Sequence, residues 1–237
     1  MVFKRKIFLV YIAVLIIYIF FIVLAFVNLD SYSSVNKNTE NYINIIIDAG
    51  HGGEDGGAVA NGLVEKDVNL SIAKKLFDIL KTSGFNVQMT RQSDEMINDY
   101  GNSLRERKVS DMKNRLNIFN NNENNVVISI HQNKFTQEKY NGTQVFYSTG
   151  NPKSLALANS IKTNIRTLLQ PENEREVKPA TKDIYLLYNS KVPSVIVECG
   201  FISNYSEANK LKQESYQNEL AFSIYSGFLD YYNNEGG

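Results

Sequence analysis

Residues 43–65 read INIIIDAGHGGEDGGAVANGLVE, and this stretch decides the fold class. The apolar run Ile43, Ile45, Ile46 and Ile47 ends at Asp48, then breaks into five glycines around His51. A short apolar run bounded by glycine reads as a buried strand. Glu65 closes the loop at the first turn of a helix, because Ile72, Ala73, Leu76, Phe77 and Leu80 share one face and Gly84 supplies the stop. Positions just past such a strand end are where open α/β sheets build ligand sites. The chain has two histidines in all, His51 and His131.

Outward from this stretch, residues 85–90 alternate as a second strand, and residues 92–123 are strongly charged. Within the latter, SLRERKVSDMKNRLNIF reads as an exposed helix, with Arg107 and Arg115 on its solvated face. Residues 126–130 form a buried strand that ends at His131, and residues 143–147 form another. Asn151-Pro152 opens a helix striped by Ala158, Ile161, Ile165 and Leu168. Residues 171–183 read as a surface loop, 184–188 as a short strand, 194–198 as a buried strand, and 216–232 as a last helix. Alternating strands and helices predict a single α/β domain with a central, mostly parallel sheet of about six strands flanked by helices.

The N-terminal end is of a different kind. Lys4, Arg5 and Lys6 precede residues 7–27, IFLVYIAVLIIYIFFIVLAFV, which hold no charge, glycine or proline. At roughly 1.5 Å per residue this run matches the ~30 Å hydrocarbon thickness of a bilayer. It exceeds the core of a cleaved signal peptide and lacks a small-x-small cleavage site. The basic triplet places the N-terminus in the cytoplasm. The predicted organisation is a cytoplasmic basic segment (1–6), a transmembrane signal-anchor (7–27), a polar linker (28–42) and a domain outside the cytoplasm (43–237). Without the triplet, 22 basic residues face 25 acidic ones, and no basic stripe appears, so nucleic acid is an improbable partner. The single Cys199 excludes an internal disulfide framework and a cysteine-rich zinc knuckle.

Three apolar strands lead to residues that bind metal or move protons: His51, His131 and Glu198. In a parallel sheet those ends lie along one edge, and Glu65 approaches it from the helix start. Two imidazoles and one carboxylate make a catalytic zinc set with a fourth position open to water. A second, unligated carboxylate then serves as base. The favoured assignment is His51, Glu65 and His131 as ligands and Glu198 as base, with Asp48 and Asn133 as orienting neighbours. Plainer readings stand beside it: a capping histidine, a helix-dipole glutamate, a solvated strand-end carboxylate and simple backbone capping by Asp48 and Asn133. No His-Glu-x-x-His helix, nucleotide-binding glycine motif or G-x-S-x-G elbow is present. Cys199 as a nucleophile is weaker than Cys199 as core packing.

The segments DAGHGGEDGGAVANGLVEKDVNLSIAKKL, MTR, SIHQN and VECGFISN resemble the zinc-dependent N-acetylmuramoyl-L-alanine amidases of bacterial peptidoglycan. The likeness covers nearly all of residues 43–232. It implies an α/β fold, one zinc ion held by residues matching His51, Glu65 and His131, and a catalytic glutamate matching Glu198. The implied substrate is peptidoglycan, at the amide between the lactyl group of N-acetylmuramic acid and L-alanine of the peptide stem. The membrane-anchored single-domain layout is similar to the spore-cortex amidases, which act on the way to muramic-δ-lactam. Gln132 departs from the small residue many members carry. Two alternatives remain: a zinc peptidase or deacetylase acting on another wall bond, and a catalytically silent envelope-binding protein. Whether an accessory protein is required is left open by the sequence.

Overall fold

Alternating side chains along the apolar strands divide between the two faces of one sheet. In the computed structural model, which describes residues 15–20, 22 and 43–236, the first strand is β1 (Asn44–Ala49). Ile45, Ile47 and Ala49 join the main core, whereas Ile46 faces a smaller cluster on the opposite side. The chain continues through a small hairpin, β2 (Val59–Ala60) and β3 (Leu63–Val64), into α1 (Glu65–Thr82) and β4 (Asn86–Met89). Then come α2 (Leu104–Asn120), β5 (Asn125–Asn133), β6 (Gln144–Tyr147), α3 (Lys153–Leu168), β7 (Lys178–Pro179) and α4 (Tyr185–Asn189). β8 (Ser194–Phe201), α5 (Tyr205–Leu211), α6 (Glu214–Tyr231) and a π-helical turn (Tyr232–Gly236) complete the unit Ile43–Gly237.

The central sheet has six strands in the order β4-β1-β5-β8-β6-β7. β1 runs parallel to β4 and β5, β5 parallel to β8, and β6 antiparallel to β8. This is the expected mostly parallel α/β sheet. Val126, Ile128 and Ile130 of β5 and Val195 and Val197 of β8 share the main core with Leu76 of α1, Ile161 of α3 and Ile224 of α6. Each fully buried isoleucine or leucine there contributes about 2 kcal/mol by leaving water. The opposite face is thinner: Ile46, Val127 and Phe119 of α2 form one small cluster, and Leu187 of α4 packs with Ala180 and Ile196 in another.

Three local readings change. Residues 184–188 are not a strand: Ile184 and Leu187 follow helical spacing, the Ile184 carbonyl accepts from Tyr188 N at 2.9 Å, and the sheet position is taken by β7. The stretch after the glycines holds a hairpin, because Asn61 (φ 48°) and Gly62 (φ 74°) take the two left-handed positions of a tight turn. The helix at 104–120 is not solvated all round, since Arg115 is 2 % exposed. That helix starts at a capping box in which Ser103 Oγ accepts from Glu106 N and the Glu106 carboxylate accepts from Ser103 N.

The predicted segments 1–6 and 28–42, and the 7–27 span apart from residues 15–20 and 22, lie outside the described residues. Among the described residues no helix is long and apolar enough to cross a membrane.

Candidate metal centre

α1 begins without a side-chain cap, since Val64 occupies the capping position. Its first free N–H groups are taken instead by the glycine loop: Glu65 N donates to Ala58 O (2.9 Å) and Lys66 N to Gly56 O (3.2 Å). This seats Glu65 against the loop and buries it to 4 % exposure. His51 stands two residues beyond β1, with its backbone in the left-handed region at φ 61°. For a residue with a Cβ that conformation costs on the order of 1 kcal/mol and persists only where its surroundings enforce it. His131 lies within β5 rather than at its end, in register opposite Glu198 of β8. Both strands run a few residues further than the apolar pattern predicts.

These elements converge. Glu65 Oε1 lies 3.0 Å from His131 Nδ1 and 3.2 Å from His51 Nε2, and the two rings meet edge to face at 5.0 Å between centroids. One nitrogen from each histidine and one Glu65 oxygen all fall within 4.8 Å of one another. Two glycines make the approach possible. A Cβ on Gly50 would sit 2.2 Å from His131 Nε2, and one on Gly57 would sit 2.6 Å from Glu65 Oε2. The donor set, two imidazole nitrogens around one carboxylate oxygen, fits a divalent ion that takes N and O ligands.

Electrostatics mark the same place. Burial pushes the Glu65 carboxyl up, but the hydrogen bonds of His131 and His51 outweigh it and hold it well below the usual carboxylate range. Burial disfavours the His51 imidazolium, yet hydrogen bonds to Asp55 and Glu65 raise it to about 9. Glu198 goes the other way: burial, reinforced by Glu65 and opposed by His131 and His51, pushes it up to about 7. Its Oε2 is buried without a hydrogen-bond partner. A half-buried carboxyl with one unsatisfied oxygen beside two imidazoles is placed to accept a proton.

The orienting partner of His51 is Asp55, which sequence reasoning missed. His51 Nδ1 is 2.8 Å from Asp55 Oδ2, leaving Nε2 to face Glu65, and Lys108 Nζ donates to Asp55 Oδ1 at 2.7 Å. A carboxylate four residues after the histidine, inside the same glycine loop, was the available signal. Asp48, predicted as an orienting neighbour, takes its hydrogen bonds from other groups and meets His131 only through its charge. It is fully buried, accepting from Arg115 Nη1 (2.5 Å), Ser129 Oγ (2.5 Å) and Thr90 Oγ1 (2.8 Å). Asn133 is tied through its carbonyl, which accepts from Ile202 N at 2.9 Å next to a register shift in β5. Gln132 reaches Glu65 by its backbone N–H (3.2 Å) and Asn69 by its side chain (3.2 Å). Cys199 is fully buried and burial pushes its thiol up, which suits packing and not a nucleophile. Beside the histidines opens a hollow of ≈ 270 Å³, lined by Lys108 and Met112 of α2, Ile184, Tyr185 and Leu186 around α4, and Ile196.

Residues 45–230 match the family model described as N-acetylmuramoyl-L-alanine amidase. The chain belongs to that family. It is 38 % identical over 193 residues to the germination-specific N-acetylmuramoyl-L-alanine amidase of Bacillus subtilis, covering 81 % of each chain. Among solved structures it is similar to the CwlD amidase of Clostridioides difficile in complex with the GerS lipoprotein, with a TM-score of 0.77 and 40 % identity over 80 % of this chain and 98 % of that one. The N-acetylmuramoyl-L-alanine amidase of Clostridium difficile 630 follows with a TM-score of 0.70 and 29 % identity, covering 83 % of this chain and 100 % of that one. The family membership makes the chain a cell-wall amidase, so the cluster at His51, Glu65 and His131 lies in an enzyme acting on peptidoglycan.

Proposed function

We propose that the chain is a zinc amidase that cuts the amide between N-acetylmuramic acid and L-alanine, removing stem peptides from spore cortex on the way to muramic-δ-lactam. The observation that carries this reading is the convergence of His51, Glu65 and His131 beside Glu198, whose Oε2 is buried without a hydrogen-bond partner. The germination-specific relative supports the cortex assignment. His51 Nε2, His131 Nδ1 and Glu65 Oε1 would hold the zinc. Bound there, zinc supplies a Lewis acid and a water of lowered pKa.

The chain's own residues do the rest. Glu198 takes the proton of the attacking water and delivers it to the departing alanine nitrogen. Its place in register with His131 puts it beside the ligands that would hold that water. Asp55 fixes the tautomer of His51 by holding Nδ1. The hollow between α2 and α4 lies against the histidines and can take the substrate flank.

In this reading residues 7–27 anchor the chain, 28–42 space the 43–237 domain from the bilayer, and the domain faces the forespore envelope. The Clostridioides difficile neighbour is in complex with a lipoprotein, so an accessory protein belongs in the reconstitution. The deciding experiment is mass spectrometry of muropeptides after digestion by the purified protein. Free peptides beginning with L-alanine, together with peptide-free muramic acid, are expected. Cleavage within the stem, or loss of acetyl groups, would replace this reading with the peptidase or deacetylase one. A zinc content near zero with no activity restored by added zinc would favour a silent binding protein.

A further inference from the structure

Two buried arginines converge on the backbone that carries His51. Arg91, just beyond β4, donates from Nε to Ala49 O (2.9 Å) and from Nη2 to Gly50 O (3.0 Å) and Lys66 O (2.8 Å). Arg115, from α2 on the other side, donates from Nη1 to Ala49 O (2.8 Å) and from Nη2 to His51 O (2.8 Å). Three consecutive carbonyls, at positions 49, 50 and 51, thus each accept from a guanidinium group, and Gly50 O accepts from Asn69 Nδ2 (3.1 Å) as well. Arg91 also reaches the carbonyl of Lys66, next to Glu65, so one side chain ties together the two segments that bear His51 and Glu65.

This arrangement is costly to bury. The two guanidiniums repel one another, and only Arg115 has carboxylates, Asp48 and Asp111, bonded to it. Arg91 spends its hydrogen bonds on carbonyls alone, those above and Ser93 O (3.0 Å). What the two arginines share is the loop at 49–51, where His51 takes the left-handed conformation. A planar fork spans adjacent carbonyls in fixed directions, whereas a lysine ammonium keeps the charge and loses that directionality.

We propose that Arg91 and Arg115 are positioning residues that hold the 49–51 backbone, and through it His51, in the geometry that binds the catalytic metal. The consequence for catalysis rests on the zinc reading above, while the backbone claim does not. The test uses the Arg91→Lys and Arg115→Lys variants of the full protein. In the zinc-free protein, the His51 Cα and Cβ chemical shifts report the left-handed backbone; they should move toward ordinary values in each variant while the rest of the spectrum stays in place. Zinc affinity, read by chelator competition, should fall about 10–100-fold, the range for losing a partner that orients a ligand. At saturating zinc, kcat should fall with KM nearly unchanged.

If both lysine variants keep the wild-type His51 shifts and zinc affinity, the proposal is wrong. It is also overturned if shifts change throughout the domain in step with a lower melting temperature, because the arginines would then serve only the fold. Should Arg115→Lys fail to fold around Asp48, Arg91→Lys decides alone, since Arg91 has no carboxylate bonded to it. Wild-type protein that binds no zinc would refute the metal reading and leave the chemical-shift comparison to judge the arginines.

Discussion

His131 and His51 sit with ring centroids 5.0 Å apart, yet the chain holds them by different means. His131 is carried by β5, a central strand between β1 and β8, and its backbone position follows from a sheet whose core is fully buried. His51 is carried by a loop, in a left-handed conformation, and its surroundings are polar side chains: Asp55 on the ring, Arg91 and Arg115 on the backbone. A sheet-borne ligand inherits its place from many apolar contacts, none of them decisive. A loop-borne ligand depends on a few directional bonds, each of them exposed to single substitutions.

That contrast breaks most severely at Glu198, in register with His131. Glu198→Gln should lower turnover of muropeptides about 10²–10⁴-fold, the worth of a positioned general base, while zinc content stays at wild-type level. Full activity in that variant would sink the base assignment. Gly50→Ala attacks the sheet-borne histidine from the loop side, because the added methyl would lie 2.2 Å from His131 Nε2. Overpacking of that kind costs about 1–3 kcal/mol, so chelator competition should show zinc affinity down roughly 10–100-fold. An unchanged affinity would mean that the ring has room to retreat.

Asp55→Asn sharpens the loop side alone. It keeps the shape and weakens the hold on His51 Nδ1, so zinc affinity should drop about tenfold, and zinc-free protein should melt lower at neutral pH because the His51 imidazolium loses its charged partner. A smaller effect appears in pH. In the zinc-free protein His51 is raised to about 9 from an ordinary 6.5, so the folded chain binds a proton that the unfolded chain releases. The resulting stabilisation is complete below pH 6.5 and is lost as the pH rises through 9. Thermal melts of zinc-free wild type and His51→Gln should therefore differ near pH 6 and approach each other by pH 9.5. A gap independent of pH would remove the imidazolium from the account. Cys199→Ala should matter least: about 1 kcal/mol of packing is lost and turnover is unchanged.

The parts legible in the sequence are those governed by local periodicity. β1, β5 and β8 announce themselves as apolar runs, α1 and α6 as apolar stripes, and His131 and Glu198 as polar residues at the close of such runs. Where long-range partners decide, the sequence is silent. Arg115 reads as solvated on a charged helix because Asp48, which makes its burial tolerable, is 67 residues away. Residues 184–188 read as a strand because five apolar and aromatic residues carry little periodicity, and only the packing of Leu187 on Ala180 and Ile196 shows a helix. The Asn61-Gly62 turn was legible by its chemistry, but the glycines around it made the whole stretch look like loop.

The far edge of the sheet has a consequence of its own. β7 is two residues long, Lys178 and Pro179, and it lies parallel along β6. A proline offers no N–H to an incoming strand, and a lysine there resists desolvation. Along Phe146 and Tyr147, which β7 pairs, the sheet thus resists recruitment of another chain. Partly opened molecules would find no ready template there for growing into an aggregate.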